Sequence, residues 1–487
     1  MAGNADRLKR TADGSLYLDE TFARRYGRRG WSQPKSSDER THTEQDRGRL
    51  QYSPYLRRLA GVTQVVSPEL TSSKLHSRAS HSYKVAMISR EIAENFSRRA
   101  FTDASIAQGI VDAGGLDVTA CEAAGLAHDL GHPPFGHAGE SELNRALRSR
   151  EVWEGFEGNA QSFRIVSFLD RHKYEQGLDL TNVVLAAILK YPWCRKLTGD
   201  DHTISAQSKF GAYESEREDM ERARGEIMPT VRQDFEGDQP PQSLEASIMD
   251  LADDIAYSIH DLEDFCSQGF IDLSAAIDGL QAFLANPESA DNAYSAGAIK
   301  LAKIHADLYE SGEYHAAAKR VSVLLNQMDP VSWGQSMRDQ QLRNVLSDKI
   351  ADFFGALRLS RESGYPVASL ESPQWHEMQI MKQVTKHYLV ATSRMGQIQR
   401  AQRKTIERLF EGLEEWIQYT DDASSLPETL RVFLAGLALP KGGPLASGHY
   451  RAIVDYICTM SDSEAFLRAQ WVTGTEIPGM ANLGLVD

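Results

Sequence analysis

Fourteen histidines are spread unevenly over the 487 residues, and four of them fall between His81 and His137. Three of those four lie in one stretch, His128-Asp129-Leu130-Gly131-His132-Pro133-Pro134-Phe135-Gly136-His137. An isolated histidine is ordinarily packed or solvated. An adjacent His-Asp pair followed by two more imidazoles in a chain bent by glycine and proline is different. Imidazole and carboxylate suit a hard or borderline divalent cation, and the bend lets neighbours in sequence converge on one centre. A second group, Asp253, Tyr257 and Asp261, is spaced i, i+4, i+8 and so forms one helical stripe, with Asp250, Asp254 and Asp264 beside it. Alone, that stripe reads as a solvated acidic face. Beside a His-Asp site that still lacks a ligand, it reads as a source of one.

Helices must position these groups. Val85, Ile88, Ile92 and Phe96 recur at three- and four-residue steps in residues 82–97, one apolar helix face. Asp117 is placed to cap a helix through Cys121, Gly125 and Leu126. Leu244, Ile248, Leu251, Ile255, Ile259 and Leu262 give the strongest helical period in the chain and predict one helix over 244–266. Further amphipathic stretches lie near 273–286, 295–308, 339–359, 374–419 and 427–438, and strand-like alternation is scarce. Polar segments at 196–243 and 287–296 interrupt this pattern, the first reading as a long excursion at a rim. The fold class expected is mostly α, with no internal repeat.

Composition narrows the function. Lys+Arg number 53 against 68 Asp+Glu, a net charge of −15, which argues against a generally basic nucleic-acid coat. No apolar run reaches the roughly 18 residues of a membrane span, and the start lacks a signal-peptide core, so a cytoplasmic protein is expected. Cys121, Cys194, Cys266 and Cys458 form no CxxC pair, which makes thiolate zinc sites and a disulfide framework poor readings. Residues 1–50 hold eleven Arg or Lys against eight acids, including the pairs Arg24-Arg25 and Arg28-Arg29, and read as a basic arm, either solvated or docked on a neighbouring subunit or a polyanion.

The words around the histidines are more specific than the histidines themselves. YLRRLAGVTQVV (55–66), RASHSYKV (78–85), AHDLGHPPFGHAGE (127–140), FEGNAQSFRIV (156–166), LKYP (189–192) and LADDIAYSIHDLED (251–264) occur in one order. Together they resemble the bacterial dGTPase, or deoxynucleoside triphosphate triphosphohydrolase, family of the HD phosphohydrolase superfamily, over roughly residues 40–270. The resemblance implies a helical HD-domain fold with an added C-terminal helical region: an arm at 1–50, an HD core at 51–270, and residues 271–487 completing the pocket and the subunit contacts. It implies one divalent metal ion (Mn, Mg, or another such as Fe, Co or Ni) held by His81, His128, Asp129 and an Asp of LADDIAY. Asp253 is preferred there over Asp254 because it shares a helix face with Tyr257 and Asp261, while Asp254 points about 100° away.

His137 and Glu140 match the family's catalytic pair, and His132 matches its auxiliary histidine, a phosphate contact or acid. Arg78, Lys190 and Tyr191 match positions that hold phosphates and sugar, Tyr257 and Asp261 positions around the sugar, and Arg58 and Gln64 lie in the block at the nucleoside end. Asn159, Gln161 and Arg164 are expected to brace the pocket. The activity implied is attack at the α-phosphorus of a dNTP, dGTP preferred, giving a deoxynucleoside and inorganic triphosphate, by a hexamer or tetramer.

Two rivals follow from the same residues. One is an HD phosphohydrolase acting on other nucleotides; small HD phosphatases lack the RRL…TQV and FEGNAQ blocks. The other is a nucleic-acid-regulated, dNTP-depleting defence or sensor protein that binds single-stranded DNA. It is motivated by the arm and by Arg394, Arg400, Arg403 and Lys404.

Overall fold

The computed structural model describes residues 5–30, 38–63, 77–171, 177–195, 197–198, 203–204, 209–228, 240–267, 271–289, 291–328, 338–390 and 393–475. Helices dominate, as the periodicity predicts, and the sheets among the described residues are small. The chain divides into two compact units that interleave along the sequence. The first takes Met1–Arg25, Lys84–Gly125 and Pro241–Gly396, the second Tyr26–Tyr83, Leu126–Pro240 and Gln397–Asp487. No described helix is long and apolar enough to cross a membrane.

In the first unit the apolar period of residues 244–262 is buried at every position named above. The element is not one α-helix, however. It runs as an α-helix over Leu244–Ala256, passes through a π-helical turn at Tyr257–Asp261, and resumes at Leu262–Ser267. The even α-helical spacing that joins Asp253, Tyr257 and Asp261 therefore ends at Tyr257. Such wide turns are invisible to a 3.6-residue period and are frequent at functional sites. At the other end Ser243 caps the helix, its side chain accepting from Ala246 N.

A two-stranded hairpin, Leu357–Glu362 with Tyr365–Leu370, follows the helix Arg338–Gly355 where the sequence reads as helical through 359. It is closed by Ser363 and Gly364, both at positive φ (47° and 81°), the conformation that lets a two-residue turn match the strand twist. Ala368 N donates to Ser247 Oγ at 2.9 Å and so ties the hairpin to the Leu244–Ala256 helix.

The first residues are not a solvated arm. Leu16–Tyr17 pairs with both Lys9–Arg10 and Gly115–Leu116 in a three-stranded antiparallel sheet. Arg25 is 1% exposed and pairs with the equally buried Glu245. Glu245 also accepts from Asp117 N at 3.0 Å, and Asp117 accepts from Ala120 N at 2.6 Å, the expected cap of helix Val118–Ala127. In the second unit Arg28 reaches Asp46 at 2.5 Å and Arg29 reaches Asp219 at 2.6 Å. Three of the four paired arginines thus meet carboxylates, Arg25 and Arg29 with partners about two hundred residues away that a local charge count cannot see, and Arg28 with Asp46 eighteen residues on. Lys404, from the second basic segment, pairs with Glu407 on its own helix, and the Arg394 side chain lies outside the described residues.

The second unit's main apolar core joins helix His137–Arg148, through Leu143 and Leu147, to Ile406, Phe410 and Leu413 and to Ile453, Ile457 and Ala465 near the C-terminus. The helix that begins at His137 is thereby seated on C-terminal residues.

Candidate active site

His81 stands in the first turn of helix Arg78–Arg99, and His128-Asp129 follows directly on helix Val118–Ala127. All three side chains are buried, and each offers a ligand atom within 4.8 Å of the other two. The His81 and His128 rings lie 5.6 Å apart. Two imidazole nitrogens and one carboxylate oxygen, converging and shielded from water, fit a divalent cation with positions left for further ligands.

Asp129 is the hub. Arg78 Nη1 donates to its Oδ2 at 2.6 Å, and His132 Nδ1 lies 3.0 Å from its Oδ1. Burial pushes this carboxyl up, but Arg78, then His128 and His132, outweigh burial and hold it well below the usual carboxylate range. Burial and the Arg78 guanidinium push the His132 imidazole down to about 4. Arg78 Nε donates to Thr63 O at 3.1 Å, so this arginine is oriented from both ends.

The loop after Asp129 is fixed through its backbone. Gly131 N donates to Ser162 Oγ, which donates to His128 O, both at 2.8 Å. Arg58 donates to Leu130 O at 2.7 Å, His132 O at 2.6 Å and Met460 O at 3.0 Å. Arg58, expected at the nucleoside end, has its guanidinium on carbonyls of this loop and of the chain near Met460.

His137 opens the helix His137–Arg148 after two residues at positive φ, Phe135 (65°) and Gly136 (54°). Its Nδ1 lies 2.9 Å from Glu140 Oε2, its ring is 5.6 Å from that of His132, and its side chain is 74% exposed. Lys209 Nζ donates to Glu140 Oε1 at 2.9 Å and to Glu157 Oε1 at 2.8 Å. Burial pushes the Glu140 carboxyl up, and the bond to His137 with the Lys209 charge brings it well below the usual range. Lys190 and Tyr191 follow helix Asn182–Ile188, half-buried. Trp193, two residues on, donates from Nε1 to Lys209 O at 2.9 Å and so aligns the two lysine-bearing segments.

The FEGNAQSFR block braces the unit. Arg164 donates to both oxygens of Asp455 and to Glu216, and Gln161 Nε2 reaches Asp455 Oδ1 at 2.8 Å. Asn159 Nδ2 donates to Glu157 Oε1 at 2.9 Å.

Asp253 lies half-buried on helix Leu244–Ala256 and Tyr257 half-buried at the π turn. Asp254 pairs with Lys382 at 2.6 Å. Gln64 and the Asp261 side chain lie outside the described residues.

Comparison with known proteins fits this geometry. The HD domain model matches residues 78–258 and the phosphohydrolase-associated domain model residues 368–470. A deoxyguanosinetriphosphate triphosphohydrolase-like protein of Streptomyces coelicolor is 31% identical over 399 residues, 78% of this chain and 83% of that one. The chain belongs to this family of HD-domain proteins. A protein of the same description from Shewanella oneidensis is 27% identical over 462 residues, 90% of this chain and 94% of its own. Another from Corynebacterium glutamicum strain R is 36% identical over 270 residues, 54% of this chain and 55% of its own, so that match spans about half the relative's length.

Three residues of this HD phosphohydrolase escape a motif-based reading. Lys209 sits in the polar excursion; the signal was the apolar island Phe210-Gly211-Ala212-Tyr213 after it, whose Phe210 and Tyr213 are buried with Ala160. Asp455 stands inside the apolar run Ile453-Val454-Asp455-Tyr456-Ile457, where a carboxylate needs a buried cation, here Arg164. Asp462, buried at the start of helix Asp462–Val472, carries no such mark.

Proposed function

We propose that this chain hydrolyses deoxynucleoside triphosphates, dGTP foremost, to the deoxynucleoside and inorganic triphosphate. The observation that carries the reading is the convergence of His81, His128 and Asp129, with the His132, His137 and Glu140 cluster in the same unit. Asp253 is proposed as the fourth ligand. A bound divalent cation supplies Lewis-acid polarisation of a phosphoryl oxygen and lowers the pKa of water; Mn, Mg, Fe, Co and Ni all suit these donors.

The chain's own residues do the rest. Glu140 holds His137 by Nδ1, leaving Nε2 as the nitrogen that exchanges a proton with water or the leaving O5′. Arg78, Lys190 and Lys209 provide the cations that a triphosphate needs in an acidic chain. Tyr191, Tyr257 and Asp261 are assigned to the sugar, Tyr257 offering the bulk that refuses a 2′-hydroxyl. Arg58 holds loop carbonyls, and Asn159, Gln161 and Arg164 hold the carboxylates of Glu157, Asp455 and Glu216 around the site. Assembly as a hexamer or tetramer and a cytoplasmic setting belong to the same proposal.

The test is incubation with each dNTP and Mn or Mg, with products separated by anion exchange. Triphosphate is expected; orthophosphate released from dGMP but not triphosphate from dGTP sinks the assignment. His137→Ala should keep metal and substrate binding while turnover falls about a hundredfold, the scale of a lost acid/base group; unchanged turnover removes that role. Asp253→Asn should lower bound metal and Asp254→Asn should not, read by metal content after dialysis; the reverse outcome moves the ligand by one residue.

A further inference from the structure

The second unit contains a carboxylate that touches neither histidine cluster yet is linked by hydrogen bonds toward both. Asp462 is 3% exposed at the N-terminal end of helix Asp462–Val472. Its Oδ1 accepts from Phe135 N at 2.7 Å. Its Oδ2 accepts from Thr63 N at 3.1 Å and from the Thr63 hydroxyl.

Each contact leads to the site. Phe135 is a bulky residue at φ 65°, where an L side chain is strained, and it sits two residues before His137. An acceptor on its N–H holds that turn. Thr63 presents its carbonyl to Arg78 Nε at 3.1 Å, and Arg78 Nη1 holds Asp129 Oδ2 at 2.6 Å. The turn itself is tight: a Cβ on Gly136 would stand 3.0 Å from Arg78 Nη2 and 3.1 Å from Thr63 O.

We propose that Asp462 is a positioning residue for this site. Through Thr63 and Arg78 it sets the orientation of the ligand Asp129, and through Phe135 it sets the turn that presents His137. The inference rests on the metal reading under Proposed function. It gives the C-terminal region, which holds none of the reacting groups, a defined task. Removing one carboxylate should disturb metal affinity and turnover together, although Asp462 touches neither a ligand nor His137.

The test is Mn(II) titration of the full chain by calorimetry, well below the melting temperature, for wild type, Asp462→Asn, Arg78→Lys and the double variant, with kcat and KM measured in parallel. Asparagine keeps the volume but turns an N–H toward one of the donors. Asp462→Asn should weaken Mn binding on the order of tenfold, the scale of a lost outer partner of a metal ligand. It should lower kcat more than it changes KM. Its effect on Mn should be largely absent once Arg78 is already Lys, because both act on Asp129 along one path. If Asp462→Asn does not fold, Thr63→Val, which removes only the hydroxyl donor, should show the same loss to a smaller degree. A folded variant with a lowered melting temperature but unchanged Mn affinity, or effects that simply add in the double variant, would overturn the proposal. Wild-type chain that takes up no Mn would instead sink the metal reading itself.

Discussion

Asp129→Ala and His128→Ala should each empty the site of metal and abolish turnover in the same preparation. Two physical terms act on Asp129. Its carboxylate is one of the three converging groups His81, His128 and Asp129, so its loss leaves two imidazoles and no carboxylate in that cluster for a hard or borderline divalent cation. It is also the buried partner of Arg78, with side chains 7% and 3% exposed. Removing one member of such a pair leaves an uncompensated charge and costs about 3–5 kcal/mol. Asp129→Ala should therefore melt well below wild type, whereas His128→Ala, which strands no guanidinium, should lose metal with the smaller loss of stability. Metal content by mass spectrometry and melting by circular dichroism separate the two effects. Normal metal content in either variant would show that the ligands have been misassigned.

Gly131→Ala should be nearly as damaging without removing a single functional atom. A Cβ at that position would stand 2.2 Å from Ser162 N, 2.3 Å from Gly158 O and 2.6 Å from Gln161 C. All three are backbone atoms of helix Gly158–Arg164, so no side chain can turn aside. Either the helix or the loop between Asp129 and His132 must move. Overpacking of this kind costs about 1–3 kcal/mol, and more when backbone is displaced. The move also breaks the Gly131–Ser162–His128 hydrogen bonds that set the HD dipeptide. The expected result is a lower melting temperature together with weakened Mn binding. Gly396→Ala is the control: nothing stands within 4 Å of the added methyl on helix Ser393–Tyr419. It should stabilise by up to about 1 kcal/mol through helix propensity. A Gly131→Ala protein as stable as the control would mean that the close approach of loop and helix is not real.

Much of this was legible because the relevant information is local. The converging residues His128 and Asp129, proposed as ligands, are adjacent, His137 and Glu140 are three apart, and the apolar period of 244–262 needs only a helix to be read. What was not legible depends on partners far along the chain. Arg25 and Glu245 are 220 residues apart, and Arg28 meets Asp46 only because that segment folds back, so a basic count over residues 1–50 misread buried pairs as a solvated arm. Lys209 was hidden because its charge resembled that of its polar surroundings, while the aromatic pair that folds it inward was passed over. The π turn at Tyr257–Asp261 changes the residues per turn without changing residue types, so no periodicity reveals it. The hairpin at 357–370 has one strand with only its first residue fully buried, which gives little alternation to find.

The central claim, that the chain directs water to the α-phosphorus of a deoxynucleoside triphosphate, is tested most directly by a reaction in water carrying heavy oxygen. Purified chain, Mn and dGTP are incubated for many turnovers, and both products are weighed by mass spectrometry. The account predicts one heavy oxygen in inorganic triphosphate and none in deoxyguanosine. Heavy oxygen at the 5′ position of the nucleoside, its appearance in orthophosphate or pyrophosphate instead of triphosphate, or dGTP recovered intact would contradict it.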